Sequence, residues 1–375
     1  MFIIDRYLLR QFLKTFIICF ISLMGLYIVI DCTTNMEGFL RSGEKTGGAL
    51  SLIGRYYSYK TFAFFDLVNG LLALISAMFT VAWIQRHNEM TALMGAGISR
   101  IRIVMPLIIA AGVVSLLAVA NRELIIPHFR DELSRQSKDL IGDQAQDLLA
   151  HYDNQTDVII GGKATYAADK RIRSPDFLMP SRLTQYGKRV KADNAYYQPP
   201  QGDRPGGYLL DKVSEPKHLE SRPSLLWNGR PVLITPHDRP EWLKPGQCFI
   251  ASDLDFDQLT TKKQFFSTSQ LIAGLYNSSV GYDANIRVTI HARIIQPLLD
   301  CTLLFLGLPL VLQRESRNVF IAIAMCIGIT LVFFLTVIGL QSLGSSSIIN
   351  PALAAWAPLM IFVPAAVGLA HSMWE

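Results

Sequence analysis

Two aspartates set in apolar sequence, Asp66 and Asp300, are the first candidates for chemistry. An ionised carboxylate at membrane depth is costly, so each raises a functional hypothesis by default. A pair of them also suggests an intramembrane aspartyl protease, but the flanking residues give that no support. The seven histidines are scattered, with none in the HExxH spacing that grips zinc. Neither a GxSxG nucleophile elbow nor a Walker A phosphate loop occurs. The chain is therefore read as a non-enzyme, with no cofactor or metal, that does not itself hydrolyse ATP. For Asp300 two readings stand: it faces a hydrated cavity or a basic residue of a partner subunit, or it is paired structurally. Asp66 lies nearer the end of its run, where snorkelling to the interface is a further reading.

The stretch Gln85–Arg100 is the second candidate. Met90, Leu93, Met94 and Ile98 recur at i, i+3, i+4 and i+8, which predicts a short helix with one apolar face. Asn88 is a plausible N-cap, Glu89 suits the first turn, and Gly95 and Gly97 end the helix. Two readings are open. The segment is an interfacial helix lying under its own bundle, or a lever whose exposed apolar ridge and acidic end dock into another protein.

Six apolar runs position these residues: Phe12–Ile30, Phe62–Ile84, Ile101–Ala120, Ile294–Leu312, Val319–Leu340 and Ala352–Ala370. Each is close to the roughly 20 residues that a helix needs to cross the hydrocarbon layer. Lipid offers backbone groups no water to bond, so such runs are read as spanning helices. Their arrangement is three and three around an inserted segment, Asn121–Arg293. Only 17% of residues are charged, below the roughly 25% of an average soluble protein.

The net charge of +5 raises the question of nucleic acid. The insert, however, holds 23 Lys+Arg against 21 Asp+Glu and no basic stripe with interleaved aromatics, so nucleic acid is set aside. The excess sits on short loops instead: Arg6, Arg10 and Lys14 before the first run, Arg86, Arg100 and Arg102 between the second and third, and Arg314 and Arg317 between the fourth and fifth. Basic residues collect on the cytoplasmic side. Both termini and the 85–100 loop are thus expected there, with the insert facing outward. The first outer loop runs against this pattern with Arg41, Lys45, Arg55 and Lys60, partly offset by Asp31, Glu37 and Glu44.

The first run is longer than a signal-peptide core and no small-x-small site follows it, so it is read as an uncleaved anchor. Cys19, Cys301 and Cys326 fall in runs, Cys32 at a run's edge and only Cys248 in the insert, which excludes a disulfide or zinc framework.

The insert opens with a helix-compatible stretch, Asn121 to about Leu149. Short runs then follow at Asp157–Ile160, Arg189–Tyr197, Tyr208–Val213, Leu225–Ile234 and Gln247–Asp255, separated by Pro/Gly clusters as in an all-β domain. Asp253–Gln258 alternates polar and apolar and is read as a half-exposed strand. Ser267–Tyr276 is read as a helix capped by Ser267 or Thr268. Prolines 106, 297, 309, 358 and 364 fall in or beside runs, where packing or kinking accommodates them.

Taken together, Asn88–Ser99, Ile4-Asp-Arg-Tyr-Leu8, Arg287-Val-Thr-Ile-His-Ala-Arg-Ile-Ile-Gln-Pro-Leu298, Leu306-Gly-Leu-Pro-Leu310 and Arg317-Asn318 resemble the LptF/LptG permeases, the membrane subunits of the lipopolysaccharide-exporting ABC transporter. The resemblance runs along nearly the whole chain, in order and spacing. It implies a multi-pass bacterial inner-membrane protein with six transmembrane helices and an inserted periplasmic β-jellyroll that passes lipid to a periplasmic lipid-bridge protein. It also implies a paralogous permease partner and a cytoplasmic ABC ATPase dimer. By the family's motif Asn88, Glu89, Met90, Thr91, Leu93 and Met94 form the ATPase-coupling helix, and the first and fifth spans line a lateral gate for lipopolysaccharide. Asp31, Arg41, Asp66 and Asp300 are the polar candidates along the lipid path.

One departure matters. Family members often carry a base at the outer end of the first span, where this chain has Asp31, with Arg41 and Lys45 the nearest bases downstream. A differently decorated glycolipid, or a cation from the partner permease, would accommodate that change. Three functions are weighed: a lipid-exporting ABC permease, an ABC membrane subunit that transmits ATPase strokes to a periplasmic partner without moving lipid, and a membrane-anchored assembly protein. An amphipathic lever argues against the last.

Overall fold

The computed structural model describes residues 3–371 apart from 47, 135–144, 149, 154, 168, 181–184, 186, 203, 218, 228, 239, 241, 261–262, 277–283 and 314–318. The order begins with α1 (Ile3–Thr34), α2 (Met36–Thr46), α3 (Ala49–Arg86), α4 (Glu89–Gly95) and α5 (Arg100–Ala120). A π-helical turn, Asn121–Ile125, leads to α6 (Ile126–His128) and α7 (Arg130–Ser134). The strands are β1 (His151–Asp153), β2 (Val158–Ile160), β3 (Gly162–Tyr166), β4 (Arg171–Leu178), β5 (Arg189–Gln198), β6 (Gly207–Glu215), β7 (Leu225–Trp227), β8 (Arg230–Ile234) and β9 (Cys248–Ala251). Then come α8 (Phe256–Thr260), α9 (Thr268–Tyr276), α10 (Ala284–Gln313), α11 (Val319–Ser345) and α12 (Pro351–His371). Two compact units emerge: Met1–Thr34 with Tyr57–Phe129 and Asp283–Glu375, and Asn35–Tyr56 with Arg130–Tyr282.

In the first unit, six helices are long and apolar enough to cross a membrane. Burial divides them. The most apolar stretches of α3 and α10 are 56% buried and that of α5 44%, against 17% for α1. The inner trio α3, α5 and α10 therefore builds the core, with Leu72, Leu74, Val81, Ile103, Leu107, Ile295 and Leu308 at its centre. Ile21, Leu26 and Val29 on α1 and Leu331, Leu335 and Ile338 on α11 point outward. Outward apolar faces are what a lipid solvent requires. The prolines at 106, 297, 309, 358 and 364 lie within continuous helices.

Helices overrun the apolar runs. With 38 residues, α3 spans about 57 Å at 1.5 Å per residue, well beyond a hydrocarbon core of roughly 30 Å. Residues 31–61, expected as a loop, are largely helical: they hold the end of α1, all of α2 and the start of α3. Hydropathy marks only the lipid-facing part of a helix, whereas backbone hydrogen bonding continues into polar surroundings. Arg314 and Arg317 lie outside the described residues, and of Cys326 only the backbone is described.

The second unit is an all-antiparallel sheet in the order β1-β2-β4-β5-β6-β9-β8-β7, with β3 also pairing β4, curled into a half-barrel. Its concave core holds Ile172, Phe177, Val190, Ala195, Tyr208, Leu210, Val232 and Ile250. Phe177 meets Tyr208 edge-on at 5.8 Å, and the Tyr208 hydroxyl donates to the Leu254 carbonyl at 2.9 Å.

Several local expectations change. Leu225–Ile234 is two strands, β7 and β8, with Gly229 at φ 77° in the reversal between them. An Asn-Gly pair is a strong hairpin signal. Asp253–Gln258 is not a strand: Phe256–Thr260 is helical, and Phe256 and Leu259 face the core one helical turn apart. So short an alternation fits a helical turn as well as a strand. Of the helix expected over 121–149, only the π turn, α6 and α7 lie among the described residues, and Gln146 is bridged to Thr165. Strands β1, β3 and β4 were not anticipated; β4 carries Arg171, Arg173 and Asp176, which mask its alternation. Ser267 is the cap of α9. Its Oγ accepts from Gln270 N at 3.1 Å, while the Gln270 side chain accepts from Ser267 N at 3.0 Å, a reciprocal capping box.

Candidate functional site

The short helix between the second and third spans is built by two backbone reversals. Asn88, at φ 59°, sits in the left-handed region that Asn tolerates better than most residues. Its N–H donates to Gln85 O, closing α3, and its carbonyl accepts from Ala92 N, opening α4. It occupies the expected N-cap position but makes no side-chain cap bond. It is a turn residue rather than a side-chain cap. At the other end Gly97 N donates to Met94 O at 2.9 Å and Ile98 N to Leu93 O at 3.1 Å. That is a Schellman closure, with Gly97 at φ 81° in the position that favours glycine. Gly97, and not Gly95, ends the helix.

The apolar ridge divides. Met90 is 5% exposed and belongs to the core of the helical unit, with Leu93 and Ile98 packed against it. Only Met94 of the four remains on the surface, next to Asn88, Thr91, Ala92, Gly95 and Ala96. The ridge thus anchors α4 to its own bundle. The surface left for a partner is small and neutral, with Glu89 at its edge. The Glu89 carboxylate accepts from Tyr7 Oη at 3.1 and 3.3 Å. Nearby connections tie the same ends together: Arg102 pairs with Asp5 at 3.6 Å, and Gln85 Nε2 donates to Val311 O at 3.0 Å.

The remaining candidates separate. Asp31, near the end of α1, accepts from the Tyr57 hydroxyl at 2.8 Å. Arg41 is exposed on α2. Asp66 is held by Arg122, whose Nε donates to both carboxylate oxygens at 2.9 and 3.0 Å and whose second nitrogen lies 2.9 Å from Oδ1. A bidentate guanidinium neutralises this carboxylate within the chain. Asp300 accepts from Ser115 Oγ at 2.8 Å and from Gln296 Nε2 at 3.1 Å. Asp66 and Asp300 therefore have separate partners and share none of these bonds, unlike the dyad of an aspartyl protease.

Arg122, Ser115 and Tyr57 were not anticipated as partners. Arg122 follows immediately on an apolar run, and charge complementarity with Asp66 was its only sequence signal. Gln296 stands four residues before Asp300 on one helix, a spacing that puts the two side chains together.

A family model described as lipopolysaccharide export system permease LptF/LptG matches residues 6–174 and 249–371. No curated protein matches the chain. The two matched blocks contain all six apolar helices, α4 and the first and last strands of the insert, and they pass over β5 to β8. With the match running through both membrane halves and the reversal at α4, the chain belongs to the LptF/LptG family of lipopolysaccharide export permeases.

Proposed function

We infer that this chain is a permease subunit of an ABC transporter that extracts lipopolysaccharide, or a related glycolipid, from the outer leaflet of the inner membrane. It passes the lipid through its half-barrel towards a periplasmic β-bridge protein. A separate cytoplasmic ATPase dimer supplies the energy by engaging α4, and a paralogous permease completes the lipid cavity. The observation that carries this reading is the family match across both three-helix halves and α4. Three features support it. Arg86, Arg100 and Arg102 flank α4, which by the positive-inside tendency favours the cytoplasmic side. Asn88, Thr91 and Met94 are open to a partner. The interior of the curled sheet is apolar, packed on its own side chains, and of the chemistry that acyl chains require.

Site-specific photocrosslinking tests it. A photoreactive residue replacing Val232, in the interior of the curled sheet, is expected to capture glycolipid in membranes only when ATP is supplied. Equal capture without ATP would remove the export reading.

A further inference from the structure

Where α3, α5 and α10 pack together, one polar pocket is left over from all the contacts above. Asn69, Gly70, Ala73, Leu74, Ala111, Ser115, Asp300, Cys301 and Leu304 surround a cavity of about 10 Å³. That is the room that one water-sized occupant needs. Asn69 is 2% exposed, and its amide nitrogen is spent on the Asp66 carbonyl at 2.7 Å. Its Oδ1, buried, accepts no hydrogen bond among the described residues. A buried acceptor left without a donor costs about 1–3 kcal/mol, so an occupant that satisfies it is expected.

The chemistry of the walls selects the occupant. Three of the lining residues carry hard oxygen ligands: Asp300 its carboxylate, Asn69 its unpartnered Oδ1 and Ser115 its hydroxyl. Oxygen-only sites of this kind suit small hard cations. The charge balance selects a single positive charge. Asp300 forms no ion pair among the described residues; the charged groups acting on it are Asp66 and Arg122, which pair with each other, and Arg293 on α10 and Glu123 lie beside that pair. Cys301 is the neighbouring thiol. No acidic or basic side chain lies on α11, and α12 brings only His371 at its far end. An ionised Asp300 would therefore place an uncompensated negative charge in an apolar bundle, where an isolated ion is costly.

We propose that Asn69, Ser115 and Asp300 form a binding site for one sodium ion in the centre of the helical unit. The ion neutralises Asp300 and occupies the orphaned acceptor of Asn69. Ser115 and Gln296 each hold one oxygen of the carboxylate in place.

Equilibrium binding of radioactive sodium to the detergent-purified complex, with whatever subunits accompany the chain, tests this. The expected result is one saturable sodium more per copy of this chain in wild type than in Asp300→Asn, displaced by unlabelled sodium and not by potassium. Asn69→Leu is expected to weaken that binding at least about tenfold, and it decides the matter alone if Asp300→Asn fails to assemble. Equal sodium binding in wild type and either variant overturns the proposal and leaves the cavity to a single water. Displacement by potassium as readily as by sodium overturns it too.

Discussion

The Tyr7 hydroxyl donates to both carboxylate oxygens of Glu89, joining the first helix of the chain to the short helix between the second and third spans. The two residues belong to separate family-like motifs, and the fold brings them within hydrogen-bonding distance. A partner that bound Glu89 would have to compete with Tyr7, and its occupancy of α4 would then be coupled to the position of α1.

Reversing this charge is expected to weaken ATPase docking while membrane insertion continues. Glu89→Lys should reduce the ATPase that co-purifies with the chain about tenfold or more, and Glu89→Ala by less, since a charge mismatch at an interface costs several kcal/mol. Tyr7→Phe frees the carboxylate and should leave co-purification at or above the wild-type level. An undiminished share of ATPase on Glu89→Lys would contradict the docking role.

The two glycines of the α4 region should respond differently to alanine. At Gly97, φ is 81°, so Gly97→Ala is expected to cost on the order of 1 kcal/mol and to lower the thermal midpoint of the purified complex. Gly95 lies inside the helix with open space around its α-carbon. Gly95→Ala should be neutral or slightly stabilising. Equal effects of the two would mean that the Schellman closure does not form.

Breaking the Asp66–Arg122 pair should destabilise in proportion to what is left uncompensated. Arg122→Leu alone leaves a largely buried carboxylate and is expected to cost about 3 kcal/mol or more, read as a loss of folded protein in a detergent thermal assay. The double variant Asp66→Asn with Arg122→Leu should recover a good part of that loss. Recovery absent in the double variant would show that Arg122 acts elsewhere.

Alkaline pH should unfold the half-barrel. Burial first, and then the hydrogen bond to Asp255, raise the Tyr197 hydroxyl above its ordinary 10.0, and burial raises Tyr208 likewise. For a group whose folded pKa is raised, the stabilising contribution is complete below the unfolded value and is lost as pH climbs past it. Stability should hold up to about pH 10 and decline above it. Tyr197→Phe should release one proton fewer on alkaline unfolding, measured by tyrosinate absorbance alongside thermal unfolding. An unchanged proton release would show that Tyr197 ionises freely in the folded protein.

Much of the architecture was legible one segment at a time. Six apolar runs announce six spans because a helix in lipid must satisfy its own backbone and clothe it in apolar side chains. Ser267 or Thr268 announces a helix start by the same local logic, and the structure chooses Ser267. Legibility failed where a local pattern served two structures. The residues Asp253–Gln258 fit a strand or a helical turn, and the ridge of Met90, Leu93 and Ile98 fitted a docking surface or an anchor. Packing against the rest of the core settled both.

The order of residues alone determined the six membrane-crossing helices, the β-rich middle and the family to which the chain belongs, since apolar run length and motif spacing are properties of neighbouring residues. Only the tertiary structure decided that Glu89 meets Tyr7, that Asp66 is neutralised by Arg122, and that Asp300 shares a pocket with Asn69, whose Oδ1 accepts no hydrogen bond among the described residues. Those partners come from different helices, and which faces of two helices meet depends on how all the side chains pack at once, which no local stretch of sequence encodes.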